Sequence, residues 1–124
     1  MSVAFPLQCP ATGEGRFIRQ QGSPGRYGHV SLLVEPAEGG EPWALLWEVQ
    51  PFQIPDHFEE AVRRGIASLF VEDAPLGRWP LEGFSVRVIG GSFHDTDSNE
   101  LSFVMAAGYA FLDALKNGGW QGET

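Results

Sequence analysis

Few residues in this chain can do more than pack. There are three histidines, one cysteine and a knot of acids around His94. His94, Asp95, Asp97 and Glu100 fall in one short stretch. Clustered carboxylates suit a hard cation, and a histidine beside an aspartate can serve as a base. Helix capping is the simpler reading for Asp97, Ser98 and Glu100, with Asp97 or Ser98 as the N-cap. His94 lies upstream of that cap, so capping leaves it unexplained. His29, at the head of a strand on its polar face, and His57, in the first turn of a helix, read as packed or solvated side chains. Cys9 has no activating charge near it in sequence. Gly25-Arg26-Tyr27-Gly28 is not a phosphate-gripping loop: the chain has no lysine before Lys116 to follow the glycines. It is no dinucleotide fingerprint either, because it runs into a strand and not a helix. No catalytic residue, metal site or cofactor is assigned, nucleotide cofactors included.

Two loops must hold whatever function exists. Residues 22–30 and 90–98 are rich in Gly, Ser, Pro and Asp, which favour turns by presetting φ, admitting positive φ or bonding their own backbone. Loops carry function when a rigid scaffold aims them, and the rest of the chain reads as that scaffold. Residues 3–7 suggest an edge strand, 11–15 a turn and 16–20 a short strand. Val30, Leu32 and Val34 alternate with His29, Ser31 and Glu35, the period of a half-buried strand. Leu45, Trp47 and Val49 repeat it, as do Phe84, Val86 and Val88. Asp56 with Glu59 resembles a capping box. Phe58, Ala61, Val62, Ile66, Leu69 and Phe70 then form a helical stripe. A second stripe, from Leu101 to Leu115, closes at Lys116-Asn117-Gly118, with a cation on the helix dipole and a glycine cap. The expected fold is α+β: a two-layer sandwich whose mixed sheet of four to five strands has one face covered by two helices.

At 124 residues and 43% hydrophobic content the chain reads as one domain, residues 1–124 with a core of about 3–118, able to bury a core without disulfides. No apolar run approaches the ~18–20 residues of a membrane span and the start is not a signal peptide, so the expectation is a cytoplasmic protein with no membrane partner. The net charge of −8 argues against general nucleic-acid binding. The bases are unevenly placed, however: residues 15–34 contain Arg16, Arg19 and Arg26 and no acid. Such a dipolar body can meet RNA with one end only.

Gly15-Arg16-Phe17-Ile18-Arg19-Gln20, Gly25-Arg26-Tyr27-Gly28-His29-Val30, Ile54-Pro55, Ala61-Val62-Arg63-Arg64-Gly65-Ile66, Pro75-Leu76-Gly77 and the stretch from Gly91 to Phe103 occur in order. Together they resemble domain IV of bacterial elongation factor G over nearly the whole chain. The resemblance implies the fold of the second domain of ribosomal protein S5, with a left-handed βαβ crossover. It also implies a tip that enters the decoding region of the ribosome and contacts transfer RNA and messenger RNA. By resemblance, the RNA-contacting tip loops are Gln20, Gln21, Gly22, Ser23, Arg26 and Tyr27 on one side and Ser92, His94 and Asp95 on the other. The sequence departs from the family at Ser23-Pro24, where a Gly-Arg pair is usual, at Arg26, where a Gln is usual, and at residues 50–53, which replace a Gly-Gly stretch. The GTPase domain has no counterpart in these residues. The expected function is a non-catalytic ribosome- or tRNA-binding module. The alternatives are an RNA- or nucleotide-processing enzyme built on His94 with Asp95 or Asp97, and a protein-binding adaptor using acidic helices.

Overall fold

The period-two pattern translates directly into a sheet. In the computed structural model, which describes residues 5–19, 25–38 and 41–121, Val30, Leu32, Val34, Val86 and Val88 are fully buried on one sheet face. The strands are β1 (Ala11–Arg19), β2 (Arg26–Pro36), β3 (Ala44–Trp47) and β4 (Phe84–Ser92), in the order β1-β2-β4-β3. β2 pairs antiparallel with both β1 and β4, and β3 runs parallel to β4. The parallel pair is joined through helix α1 (Glu59–Ala67), which has a single 3-10 turn at either end. Helix α2 (Glu100–Asn117) follows β4, lies across β1 and β2, and packs against α1. The core between the layers is aromatic: Phe84 stacks on Phe5, Trp43 and Phe70 and meets Phe111, while Phe58 meets Phe103.

Residues 11–15 are strand, not turn. Gly13 and Gly15 point inward from β1, and α2 presses on them backbone to backbone. A Cβ on Gly13 would stand 2.3 Å from the Ala110 carbonyl oxygen, and one on Gly15 would stand 2.0 Å from that of Ala106. These glycines are there for close approach, the other physical use of a residue with no side chain.

Phe5, Pro6 and Leu7 are not strand, so the sheet has four strands among the described residues; Val3 and Ala4 lie outside them. Leu7 is nevertheless buried. Asp56 opens a 3-10 turn without capping it and accepts from the Trp47 indole N–H at 3.1 Å. The N-cap of α2 is Asn99, whose side chain accepts from the Ser102 N–H at 2.9 Å. Asp97 and Ser98 are thereby free for other partners.

Candidate functional site

The two loops meet at one end of the sheet, where β1 turns into β2 and β4 leads to α2. Their contact is built from hydrogen bonds between residues distant in sequence. The buried Gly25 donates its N–H to Asp97 Oδ1 at 3.1 Å. The Tyr27 N–H donates to the Asp97 carbonyl at 3.0 Å, and Ser98 Oγ donates to the Tyr27 carbonyl at 2.8 Å. Sequence reasoning assigned Asp97 and Ser98 to the helix end; their actual work is to clamp the first loop to the second. The second loop is also closed on itself, since the His94 N–H donates to Ser98 Oγ at 2.8 Å.

Among the expected site residues, Arg26, Tyr27, Ser92, His94 and Asp95 are brought to this pole. Gln20, Gln21, Gly22 and Ser23 lie outside the described residues. Arg26 is exposed and pairs with no carboxylate among the described residues. The Tyr27 and His94 rings stand 6.5 Å apart, and Tyr27 Oη lies 2.8 Å from Ser92 Oγ. The His94 side chain is 56% exposed. Its Nδ1 takes the Thr96 backbone N–H at 3.4 Å, a group that can only donate. Nδ1 is then the acceptor, and the proton of the neutral ring sits on Nε2, which no described residue engages. Asp95 is exposed beside it and Asp97 Oδ2 is 3.8 Å from Nδ1. Among the described residues no three His, Cys, Asp or Glu side chains converge as metal ligands would.

Ser92 reaches this group through an irregularity in β4. Phe84, Val86 and Val88 face the helices, so an uninterrupted strand would turn Gly90 and Ser92 inward too. The pairing shifts between Ser31 and Leu32, leaving Ile89 exposed and unpaired. This one-residue bulge reverses the faces that follow. Gly91 now points inward, where a Cβ would stand 2.5 Å from Ile54 Cδ1, and Ser92 faces out, opposite His29. His29 itself was read as a bland strand residue. It lies between Ser92 Oγ, 3.0 Å from Nδ1, and Glu14 Oε1, 3.0 Å from Nε2. Ser31 Oγ donates to the same carboxylate oxygen at 2.9 Å. These two side-chain hydrogen bonds, His29 first, hold the Glu14 carboxyl below its ordinary pKa. The signal available in sequence was parity: Tyr27, His29 and Ser31 share one strand face.

Further down the open face, Arg87 pairs with Glu35 at 2.8 Å and with Glu48, joining β2 and β4 to the residue that follows β3. The remaining positive charge of the region sits toward the pole. Arg16 is exposed on β1, and Arg19 lies over the Phe17 ring at 4.7 Å. The acids of α1, Glu59 and Glu60, flank Arg63 instead, each at 3.7 Å.

A four-stranded mixed sheet backed by two helices, with Gly25 and Tyr27 tied to Asp97 and Ser98 at one pole, defines the class: an α+β domain. The sequence profile of the family elongation factor G, domain IV, matches residues 5–119, and the chain belongs to that family. It is 38% identical over 112 residues to elongation factor G of Thermotoga petrophila and 34% identical over 110 residues to that of Aquifex pyrophilus. Each comparison covers 89% of this chain and 16% of the relative, so the chain spans a small part of the proteins it matches. A crystal structure of a Thermus thermophilus protein superposes with a TM-score of 0.78 at 32% identity, covering 90% of this chain and 16% of that one. Among the described residues, no helix is long and apolar enough to cross a membrane.

Proposed function

We propose that this chain is a non-catalytic module that binds the ribosome, or a transfer-RNA-like RNA, through residues 20–27 and 92–97. The observation that carries the reading is the clamp: Gly25 and Tyr27 are tied to Asp97 and Ser98, so side chains from both loops project together. An exposed Arg26, the Tyr27 ring and an outward His94 Nε2–H are suited to phosphate oxygens and to bases. Membership of the elongation factor G, domain IV, family supports a place in translation, in the decoding region where transfer RNA and messenger RNA meet. The body is acidic, with a net charge of −8, which favours an end-on approach to a phosphate-lined cleft.

With so few cations at the pole, affinity for free RNA is weak and falls with salt, by a logarithmic slope of about 0.7–0.9 per phosphate neutralised. The test is co-sedimentation of the chain with purified ribosomes. His94→Ala and Arg26→Glu each reduce the bound fraction, and charge reversal at Glu59 and Glu60 does not. Unchanged sedimentation of both tip variants removes the pole from the mechanism. Loss on reversing Glu59 and Glu60 would favour a protein-binding role for α1 instead.

A further inference from the structure

Hydrogen-bond bookkeeping on the open sheet face fixes which group donates to which. The Glu14 carboxylate can only accept, so His29 Nε2 carries a hydrogen. In the neutral ring Nδ1 is then a lone pair, and the Ser92 hydroxyl must donate to it. Ser92 Oγ, its one hydrogen spent, accepts from Tyr27 Oη. The chain Tyr27 → Ser92 → His29 → Glu14 is balanced: each contact holds one hydrogen, and none is left over.

Protonating His29 upsets that balance. Nδ1 becomes a donor, so the contacts between His29, Ser92 and Tyr27 receive one hydrogen more than they can hold. A hydroxyl of Ser92 or Tyr27 must then turn outward. Both lie at the pole, Tyr27 next to Arg26 and facing His94. We propose that His29, on the sheet face behind the tip, is a proton-linked control of phosphate binding there, its protonation turning hydrogen-bond direction at Ser92 so that a Ser92 or Tyr27 hydroxyl is freed as an outward donor for a phosphodiester oxygen. The inference rests on the reading of this pole as an RNA-binding surface. By linkage, RNA bound through that donor favours protonated His29, and protonated His29 favours RNA.

Other charges around His29 must be weighed. Glu14 and Arg16 face it from β1, Arg16 directly opposite in the register; Tyr27 is the ionisable neighbour on β2, and β4 supplies Ser92. His94 and Asp97 lie beyond the end of β4, next to Tyr27. A histidine charge near an anion tightens binding by simple attraction, and His94 contributes to that. The relay is separated from attraction by cutting the chain without removing any histidine. Ser92→Ala does this, and Ser92→Thr keeps the hydroxyl.

The experiment measures the affinity of the full chain for a labelled single-stranded RNA oligonucleotide at constant salt, between about pH 8 and about pH 5.5, the range in which histidines charge. Binding by the unsubstituted chain tightens by about fivefold more over this range than binding by Ser92→Ala, a factor at the low end of ordinary coupling. Ser92→Thr restores the gain, with thermal melting used to confirm that both variants are folded. Equal gains in the parent chain and Ser92→Ala overturn the relay while leaving the RNA reading in place. A chain that binds this RNA at neither pH overturns the relay, and one that also fails to sediment with ribosomes overturns the RNA reading with it. A gain that Ser92→Thr fails to restore also counts against the hydroxyl as the carrier.

Discussion

One of the three hydrogen bonds that clamp the loops can be cut at a single atom. Asp97 Oδ1 accepts the Gly25 N–H at 3.1 Å across 72 positions of sequence, and Gly25 is buried. Asp97→Ala deletes that acceptor and strands the donor, while the backbone bond from Tyr27 to the Asp97 carbonyl survives. Orphaning a buried donor costs about 1–3 kcal/mol. The Asp97 side chain is 24% exposed, so water partly replaces it, and about 1–2 kcal/mol is the expected loss. For a domain of this size each kcal/mol moves Tm by about 3–5 °C, so Tm falls by roughly 3–10 °C. Asp97→Asn keeps an oxygen at the same place and loses less than half as much. The assay pairs thermal melting with amide hydrogen exchange at Gly25: the amide is protected in the parent chain and Asp97→Asn, and exchanges freely in Asp97→Ala. Below the lower Tm, Asp97→Ala also sediments less with ribosomes, because Gly25, where the first loop joins β2, is no longer held. An Asp97→Ala chain that melts with the parent and keeps Gly25 protected would show that the clamp is held elsewhere.

Other substitutions test the scaffold. Gly15→Ala places a Cβ 2.0 Å from the Ala106 carbonyl oxygen, backbone that cannot rotate away. It destabilises by about 3 kcal/mol or more, the upper range for forcing volume into a packed core, read as a lowered urea midpoint. Asn99→Ala removes the N-cap of α2 and costs about 1 kcal/mol in the same assay, while Asn99→Asp costs little. The folded-state pKa of Glu14 is lowered from 4.5 by His29, then Ser31, so its contribution to stability is present above that value and lost as pH falls through the lower folded one. The difference in urea midpoint between the parent and Glu14→Gln is therefore larger at about pH 7 than at about pH 3; a difference that grows in acid contradicts the assignment.

The sheet and both helices were legible because their signals are periodic and repeated: Val30, Leu32 and Val34 on one strand, Phe84, Val86 and Val88 on another, and the apolar stripes of α1 and α2. What stayed hidden depends on partners that no local pattern reveals. Gly13 and Gly15 look like turn residues until a helix backbone is found 2.0–2.3 Å from where their side chains would begin. Pro6 and Leu7 look like an edge strand because burying Leu7 needs an apolar residue, not a β backbone. Asp97, Ser98 and Asn99 are each competent N-caps, and sequence alone cannot rank them; the loop from across the sheet claims two, and the third caps α2.

The bulge at Ile89 shows why the site was harder to read than the fold. A register shift of one residue exchanges the two faces of a strand, so the period that correctly buries Val86 and Val88 would have buried Ser92. With the shift, Ser92 stands beside His29 and Tyr27, and Gly91 takes the inward place where Ile54 leaves no room for a Cβ. Gly91→Ala would press a methyl to within 2.5 Å of Ile54 Cδ1 and 2.4 Å of the His29 carbonyl oxygen. The side chain could give way, but the strand backbone could not. The least costly response is for β4 to move off β2 at its last residues, carrying Ser92 away from His29. That variant should keep most of the stability of the core and lose the polar chain at the pole. A Ser92→Ala substitution made in that background would then leave the chemical shifts of the His29 ring unmoved at constant pH, whereas in the parent chain, where Ser92 Oγ lies 3.0 Å from Nδ1, Ser92→Ala moves them. If Ser92→Ala still shifts the His29 ring in a Gly91→Ala background, the bulge is not what holds the two residues together.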